Sequence, residues 1–311
     1  MAATSRPALI VLALGLALLL VFPALADRYY LQLVTKIMVI AIFAISLDLL
    51  VGSAGLISLG HAAFFGLAGY VLALAQRDLD LVALWTTLPL ALAVTAAAAA
   101  VIGWLSVRTS GVYFIMITLA FAQMAYYAVF SLKLMGGGDG LNLARRSTLG
   151  LGIDLKSDLA FYYVALAVFA ATLLFLHRLI NAELGRALQG VRDNETRMEA
   201  LGFPAYRIKL AAFVLAGAIA GLGGALLANL NGLVSPSLLH WTQSGALMIM
   251  VIVGGAGRFL GGALGAAALL LIEELLRDVT IHWQLGVGAI LLAIVLFAPD
   301  GLAGLRRRLQ P

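Results

Sequence analysis

The sequence predicts an all-α polytopic membrane protein with about ten transmembrane helices, Gly-broken segments and one short polar helix on the cytoplasmic side. Three observations predict it. Of the 311 residues 63% are hydrophobic and only 11% charged, where an ordinary soluble domain is about 25% charged, which excludes a soluble globular fold. The apolar residues fall into windows long enough to cross about 30 Å of hydrocarbon, roughly 20 residues each. Charge is concentrated between those windows, and its densest run surrounds a self-capped helical segment.

In chain order the windows run at about 8–26, 33–50, 56–75, 81–102, 112–135, 159–176, 210–230, 244–253, 259–276 and 284–298. The eighth is short, so merging or splitting a segment gives a range of about eight to eleven crossings. The first window has a second reading. Arg6, the apolar run from Ala8 and the triplet Ala24-Leu25-Ala26 before Asp27 resemble a cleavable signal peptide; its removal would leave about nine crossings.

Orientation follows from Lys and Arg, which favour cytoplasmic loops. With ten crossings and the N-terminus inside, 12 of the 20 basic residues lie on the inner side, including the cluster from Arg178 to Lys209 and the terminal Arg306, Arg307 and Arg308. Both termini are then cytoplasmic. A loop at about 136–158, opening with Gly136-Gly137-Gly138-Asp139-Gly140, falls outside, and one at about 177–209 falls inside. With no Pro/Ser-rich linker, residues 1–311 read as a single membrane domain.

The inner loop carries the short helix. Asp193 is a good N-cap, Glu195 sits in the first turn where the helix dipole favours an anion, and Gly202 with Pro204 supplies the stop. At about two turns such a helix is marginal in water unless something holds it. Met198 and Leu201, three apart, give it an apolar edge suited to docking on another protein.

Glycine interrupts the apolar windows at two comparable places, Val51-Gly52-Ser53-Ala54-Gly55 and Val253-Gly254-Gly255-Ala256-Gly257. Paired Gly-broken segments point to a substrate pathway, because unwound backbone offers N–H and C=O groups to a ligand. Coincidence among 33 glycines is the other reading. His61, beside the first break, either contacts solute or hydrogen-bonds backbone groups freed by the glycines. Asp48, near the end of an apolar run, lines a pathway, holds a proton or reaches the aqueous edge. Gly261, Gly262 and Gly265 include a small-xxx-small spacing for close helix approach.

Several function classes are excluded. The net charge of +5 is spread around hydrophobic spans, which fits membrane orientation and speaks against nucleic acid. Zero cysteines rule out disulfides, thiolate metal sites and a Cys nucleophile. No Gly-Lys dipeptide occurs, so the phosphate-cradling loop cannot be built and ATP, if used, is bound by another subunit. His61, His177, His240 and His282 show no metal spacing. Glu273 and Glu274 point about 100° apart on a helix and do not form an acid–base pair. No catalytic residue, metal or cofactor is expected.

Leu49-Leu50-Val51-Gly52 leads into Ser58-Leu59-Gly60-His61-Ala62-Ala63-Phe64-Phe65-Gly66, followed by Gly111-Val112-Tyr113-Phe114 and Ile117-Thr118-Leu119-Ala120-Phe121. Gly185-Arg186-Ala187, Arg192-Asp193-Asn194-Glu195, Ala200-Leu201-Gly202 and finally Pro299-Asp300-Gly301-Leu302 come after. In order and spacing these stretches, over about residues 30 to 308, resemble the inner-membrane permeases of branched-chain amino-acid ABC importers, of the LivM type.

The resemblance implies a translocation subunit of the bacterial inner membrane, set in lipid. It pairs with a second related permease, two ABC ATPase subunits and a periplasmic solute-binding protein. The segment of Arg192, Asp193, Asn194, Glu195, Arg197, Met198, Leu201 and Gly202, with Arg186 ahead of it, becomes the helix that couples to an ATPase. Ser58, Gly60, His61, Phe64 and Phe65 become the expected substrate pathway, with Gly52 and Gly55 permitting the helix break. Asp48 departs from the Asn of many relatives, and 258–262 lacks the usual Gly-Thr and Gly-Pro elements. Similar-looking permeases carry urea, short amides or aromatic acids. An ion-coupled secondary transporter using Asp48 and His61 is the reading from another class.

Overall fold

A computed structural model describes residues 6–24, 26–143, 145–149, 155–297 and 301–304. Pro299, Asp300 and Arg306 to Arg308, and part of the expected outer loop, lie outside them. Ten apolar helices follow the ten windows: α1 (Arg6–Val21), α2 (Arg28–Asp48), α3 (His61–Leu79), α4 (Leu84–Ser106), α5 (Val112–Ser131), α6 (Asp158–Asn181), α9 (Ala205–Asn231), α10 (Trp241–Gly254), α11 (Gly261–Val279) and α12 (Trp283–Phe297). The polar loop holds α7 (Glu183–Asp193) and α8 (Glu195–Ala200). Five stretches are long and apolar enough to cross a membrane: Arg28–Ala54, Leu84–Ser106, Val112–Ser131, Asp158–Asn181 and Ala205–Asn231. Strand structure among the described residues is one short antiparallel ladder, β1 (Leu141–Asn142) on β2 (Leu233–Val234), and an isolated parallel bridge between Ala83 and Thr148.

α9 lies at the centre, packed against α2, α3 and α4. In lipid, apolar surface gives helices little reason to associate, so close backbone approach through small residues takes over. Gly217 meets Ala99, Gly221 meets Thr95 and Gly224 meets the Phe65 carbonyl, with no room for a Cβ at any of the three. α4 shows the complement: Leu84, Thr87, Ala91, Thr95, Ala99, Gly103 and Ser106 are buried at helical spacing, while Trp85, Val101, Trp104 and Leu105 face outward. Such a helix is small and polar inside, large and apolar outside. That pattern suits lipid.

α11 uses the predicted glycines for packing. Gly262 abuts the backbone of Ala44 on α2, and Gly265 abuts the Met250 carbonyl on α10.

α6 has 24 residues, about 36 Å of helix, and separates the two polar ends of the bundle. At its start Asp158 accepts from Arg146 Nη1 at 2.6 Å, Arg28 Nε at 2.7 Å and Gln32 Nε2 at 3.1 Å. Ser147 N–H donates to Asn229 Oδ1 at 2.9 Å, so the connection from α5 to α6 is pinned at this end. At the other end of α6 stand α7 and α8.

Candidate functional site

α7 leaves α6 through a tight turn in which Gly185 presses on the Ile180 carbonyl and leaves no space for a side chain. Gly185, Leu188 and Val191, three apart, form its buried stripe. Arg186 and Arg192 remain exposed. The stripe carries the helix on to Asp193, so Asp193 ends α7 and does not cap α8. The cap is Asn194, extended at φ −161°, whose Oδ1 accepts the Arg197 N–H at 2.9 Å. Both residue types cap well, but only position 194 is free of α7.

Three contacts hold the six-residue α8. Lys209 Nζ on α9 meets Glu195 Oε1 at 2.5 Å, with the lysine side chain 8% exposed. Met198 lies over Gly190 of α7, so close that a Cβ there would sit 2.7 Å from its sulfur. Gly202, at φ +86°, ends the helix, and the Phe203 N–H returns to the Met198 carbonyl at 3.0 Å.

The expected apolar edge of Met198 and Leu201 is therefore divided. Leu201 occupies the C-cap position, outside helical geometry, and leaves the Met198 face. Leu201 is 67% exposed and Phe203 45%, so the outward apolar pair is Leu201 and Phe203. The sequence signal for Phe203 was an aromatic ring directly after the Gly stop in a polar loop.

The two glycine breaks touch. α2 continues into a π-helical turn, Leu49–Ala54, closed by Gly55 at φ +69°. Gly52 lies directly against the backbone of Gly257, with no room for a Cβ. Asp48 Oδ1 accepts the Gly257 N–H at 2.8 Å. Arg192 Nη1 donates to the Gly52 carbonyl at 2.6 Å, and the arginine stem crosses Gly55, where a Cβ would sit 2.9 Å from Cγ. Both breaks lie at the end of the bundle that carries α7 and α8. Asp48 is fully buried, which removes the reading in which it reaches the aqueous edge.

The other expected pathway residues form a separate buried cluster at the start of α3. Ser58 Oγ accepts the Gly60 N–H at 3.2 Å, and Gly60 abuts the Thr118 carbonyl. Ser46 Oγ stands 2.8 Å from His61 Nε2 and donates to the Phe43 carbonyl at 2.6 Å. One hydroxyl carries one proton, so Ser46 accepts from a protonated Nε2. His61 Nδ1 is left as an acceptor with no partner among the described residues. The partner of His61 is thus a side-chain hydroxyl and not backbone freed by the glycines. Phe43 stacks on Phe65 at 4.0 Å and lies parallel to His61 at 5.9 Å, and Phe64 meets Phe213 edge-on at 5.6 Å. His61, Phe64 and Phe65 are all buried.

A bundle of apolar helices with large side chains turned outward, and a polar helix pair latched to its glycine breaks, defines a multi-pass helical membrane protein. The chain belongs to the family described as branched-chain amino acid transport system / permease component, whose model matches residues 29–298. It is 29% identical over 315 residues to the high-affinity branched-chain amino acid transport system permease protein LivM of Salmonella typhimurium, covering 94% of this chain and 74% of that one. The LivM protein of Escherichia coli K12 matches to the same extent. A probable branched-chain amino acid transport permease protein LivM of Methanocaldococcus jannaschii is 26% identical over 190 residues, 56% of this chain and 54% of the relative. No solved structure matches significantly.

Proposed function

We propose that this chain is a non-catalytic translocation subunit of an ATP-driven importer in the bacterial inner membrane, with its termini and α7–α8 on the cytoplasmic side. Its cargo is branched-chain, aliphatic amino acids or similar small solutes. It works with a second related permease, two ABC ATPase subunits and a periplasmic solute-binding protein. The family supports the solute class, and the missing phosphate loop supports the reading that nucleotide is bound by other subunits.

One observation carries the coupling role: α8 is held in shape by its cap, its ion pair and Met198, while Leu201 and Phe203 face outward. A helix this short would not persist by itself. Preformed, it meets a groove without an ordering cost, and burying what remains exposed of each outward side chain is worth about 1–2 kcal/mol. ATPase closure then displaces α8, and α7 and α9 carry the displacement into the bundle.

The test is deletion of Asn194–Leu201, alongside Leu201→Glu and Phe203→Glu, in the assembled transporter. ATPase co-purification and vesicle uptake are expected to fall together. Unchanged association and uptake in all three would overturn the coupling assignment.

A further inference from the structure

Arg192, in the last turn of α7, links the α7–α8 pair to the first glycine break. It stands two residues before the Asn194 cap, and its Nη1 reaches 140 positions back to the Gly52 carbonyl at 2.6 Å. That carbonyl belongs to the π-helical turn of 49–54, where α-helical pairing is lost and an outside donor is accommodated. The stem lies on Gly55, a left-handed residue with no Cβ to obstruct it. Asp193 Oδ1 accepts from Arg192 Nε at 3.2 Å and Nη2 at 3.1 Å, fixing the plane of the guanidinium. Beyond Gly52 the chain of contact continues without a gap to Gly257, whose amide Asp48 holds.

We propose that Arg192 is the transmission residue of this transporter. It is a positioning residue that converts displacement of α8 into displacement of the Gly52–Gly257 contact. The proposal rests on the reading of α8 as the ATPase-docking element. α7 packs against the 49–54 turn, and the polar link between them is the charged hydrogen bond from Arg192 to the Gly52 carbonyl, backed by the arginine stem on Gly55, so a pull on Asn194 has a directional bond to the first break. The second break follows because Gly52 and Gly257 are in backbone contact. Arginine suits the position because a planar fork bonds Gly52 and Asp193 at once, whereas an ammonium is a single point.

The experiment uses the full chain assembled with its partner permease and ATPases, and needs no knowledge of the solute. The chain has no cysteine, and Ile57, two residues past the first break, and Ala256, within the second, are both exposed and accept spin labels as Ile57→Cys and Ala256→Cys. The inter-label distance is measured without nucleotide and with ATP–vanadate trapped. The labelled parent is expected to change distance on trapping. Arg192→Met, which keeps the stem and removes the donor, is measured on the complexes that retain both ATPases; there it is expected to lose that change, and ATP turned over per solute moved is expected to rise about tenfold. Arg192→Lys is expected to recover part of the distance change.

An Arg192→Met complex with the parental distance change overturns the proposal and leaves the docking reading intact. Failure of the parent to bind ATPase, or to change distance at all, sinks the docking reading itself. Should Arg192→Met not assemble, Arg192→Lys and Arg192→Gln decide: equal, parental distance changes in both overturn the proposal.

Discussion

Asp48 Oδ1 accepts the Gly257 N–H at 2.8 Å, joining residues 209 positions apart at the place where two helices lose their regular pairing. The bond gives a fully buried carboxylate a fixed partner and gives the glycine turn an anchor on α2. Here the acceptor matters. Asp48→Asn keeps a carbonyl oxygen for Gly257 and is expected to stay within about 1 kcal/mol of the parent, whereas Asp48→Leu strands the amide and costs about 1–3 kcal/mol. Thermal unfolding in detergent separates the two; an Asn variant as damaged as the Leu one would show that the fold needs the charge.

Gly52→Ala places a methyl group into the backbone of Gly257 and within 2.8 Å of Asp48 Oδ1. Overpacking of this kind costs about 1–3 kcal/mol, and neither backbone has a flexible end to move. Gly245, inside α10, has open space around it, so Gly245→Ala is expected to be neutral or to stabilise by up to about 1 kcal/mol through helix propensity. Melting temperatures of the pair provide the check. Equal shifts in both would mean that the Gly52–Gly257 contact is not tight.

How much of this was legible differs by element. The ten apolar helices could be read because lipid demands long apolar runs whatever they pack against. α7 could not, since Leu188 and Val191 repeat at helical spacing but lie among charges that read as loop. Asp193 and Asn194 are equivalent as caps, and the choice depends on where α7 stops, which tertiary packing fixes. Nothing local encodes that Gly52 meets Gly257, or that Arg192 reaches Gly52, because both contacts span more than a hundred residues. Ser46 as the partner of His61 lay across a helix break, where periodicity gives no register.

The Lys209–Glu195 pair predicts an order of damage. Lys209 is nearly buried and Glu195 is 41% exposed, so removing the acid leaves an ammonium without its partner, while removing the lysine returns an acid to water. Glu195→Gln is therefore expected to cost more than Lys209→Met, by about 1–2 kcal/mol after allowing for the exposure of Glu195. Hydrogen exchange of α8 amides reads the effect locally; the reverse order would mean that the pair is not what holds α8 to α9.

His61 and Ser46 predict a non-additive cycle. Ser46→Ala removes the acceptor of Nε2–H and leaves both ring nitrogens unpaired in a buried site, at about 1–3 kcal/mol. Replacing both partners by apolar groups of similar shape is far milder, and the parallel Phe43 ring at 5.9 Å can receive a phenyl as readily as an imidazole. Ser46→Ala/His61→Phe is thus expected to be more stable than Ser46→Ala alone, with uptake recovering alongside stability if the ring serves the fold. A double variant that unfolds like the parent yet carries no solute would assign the imidazole to the translocation path, since packing would be restored and only its polar chemistry lost.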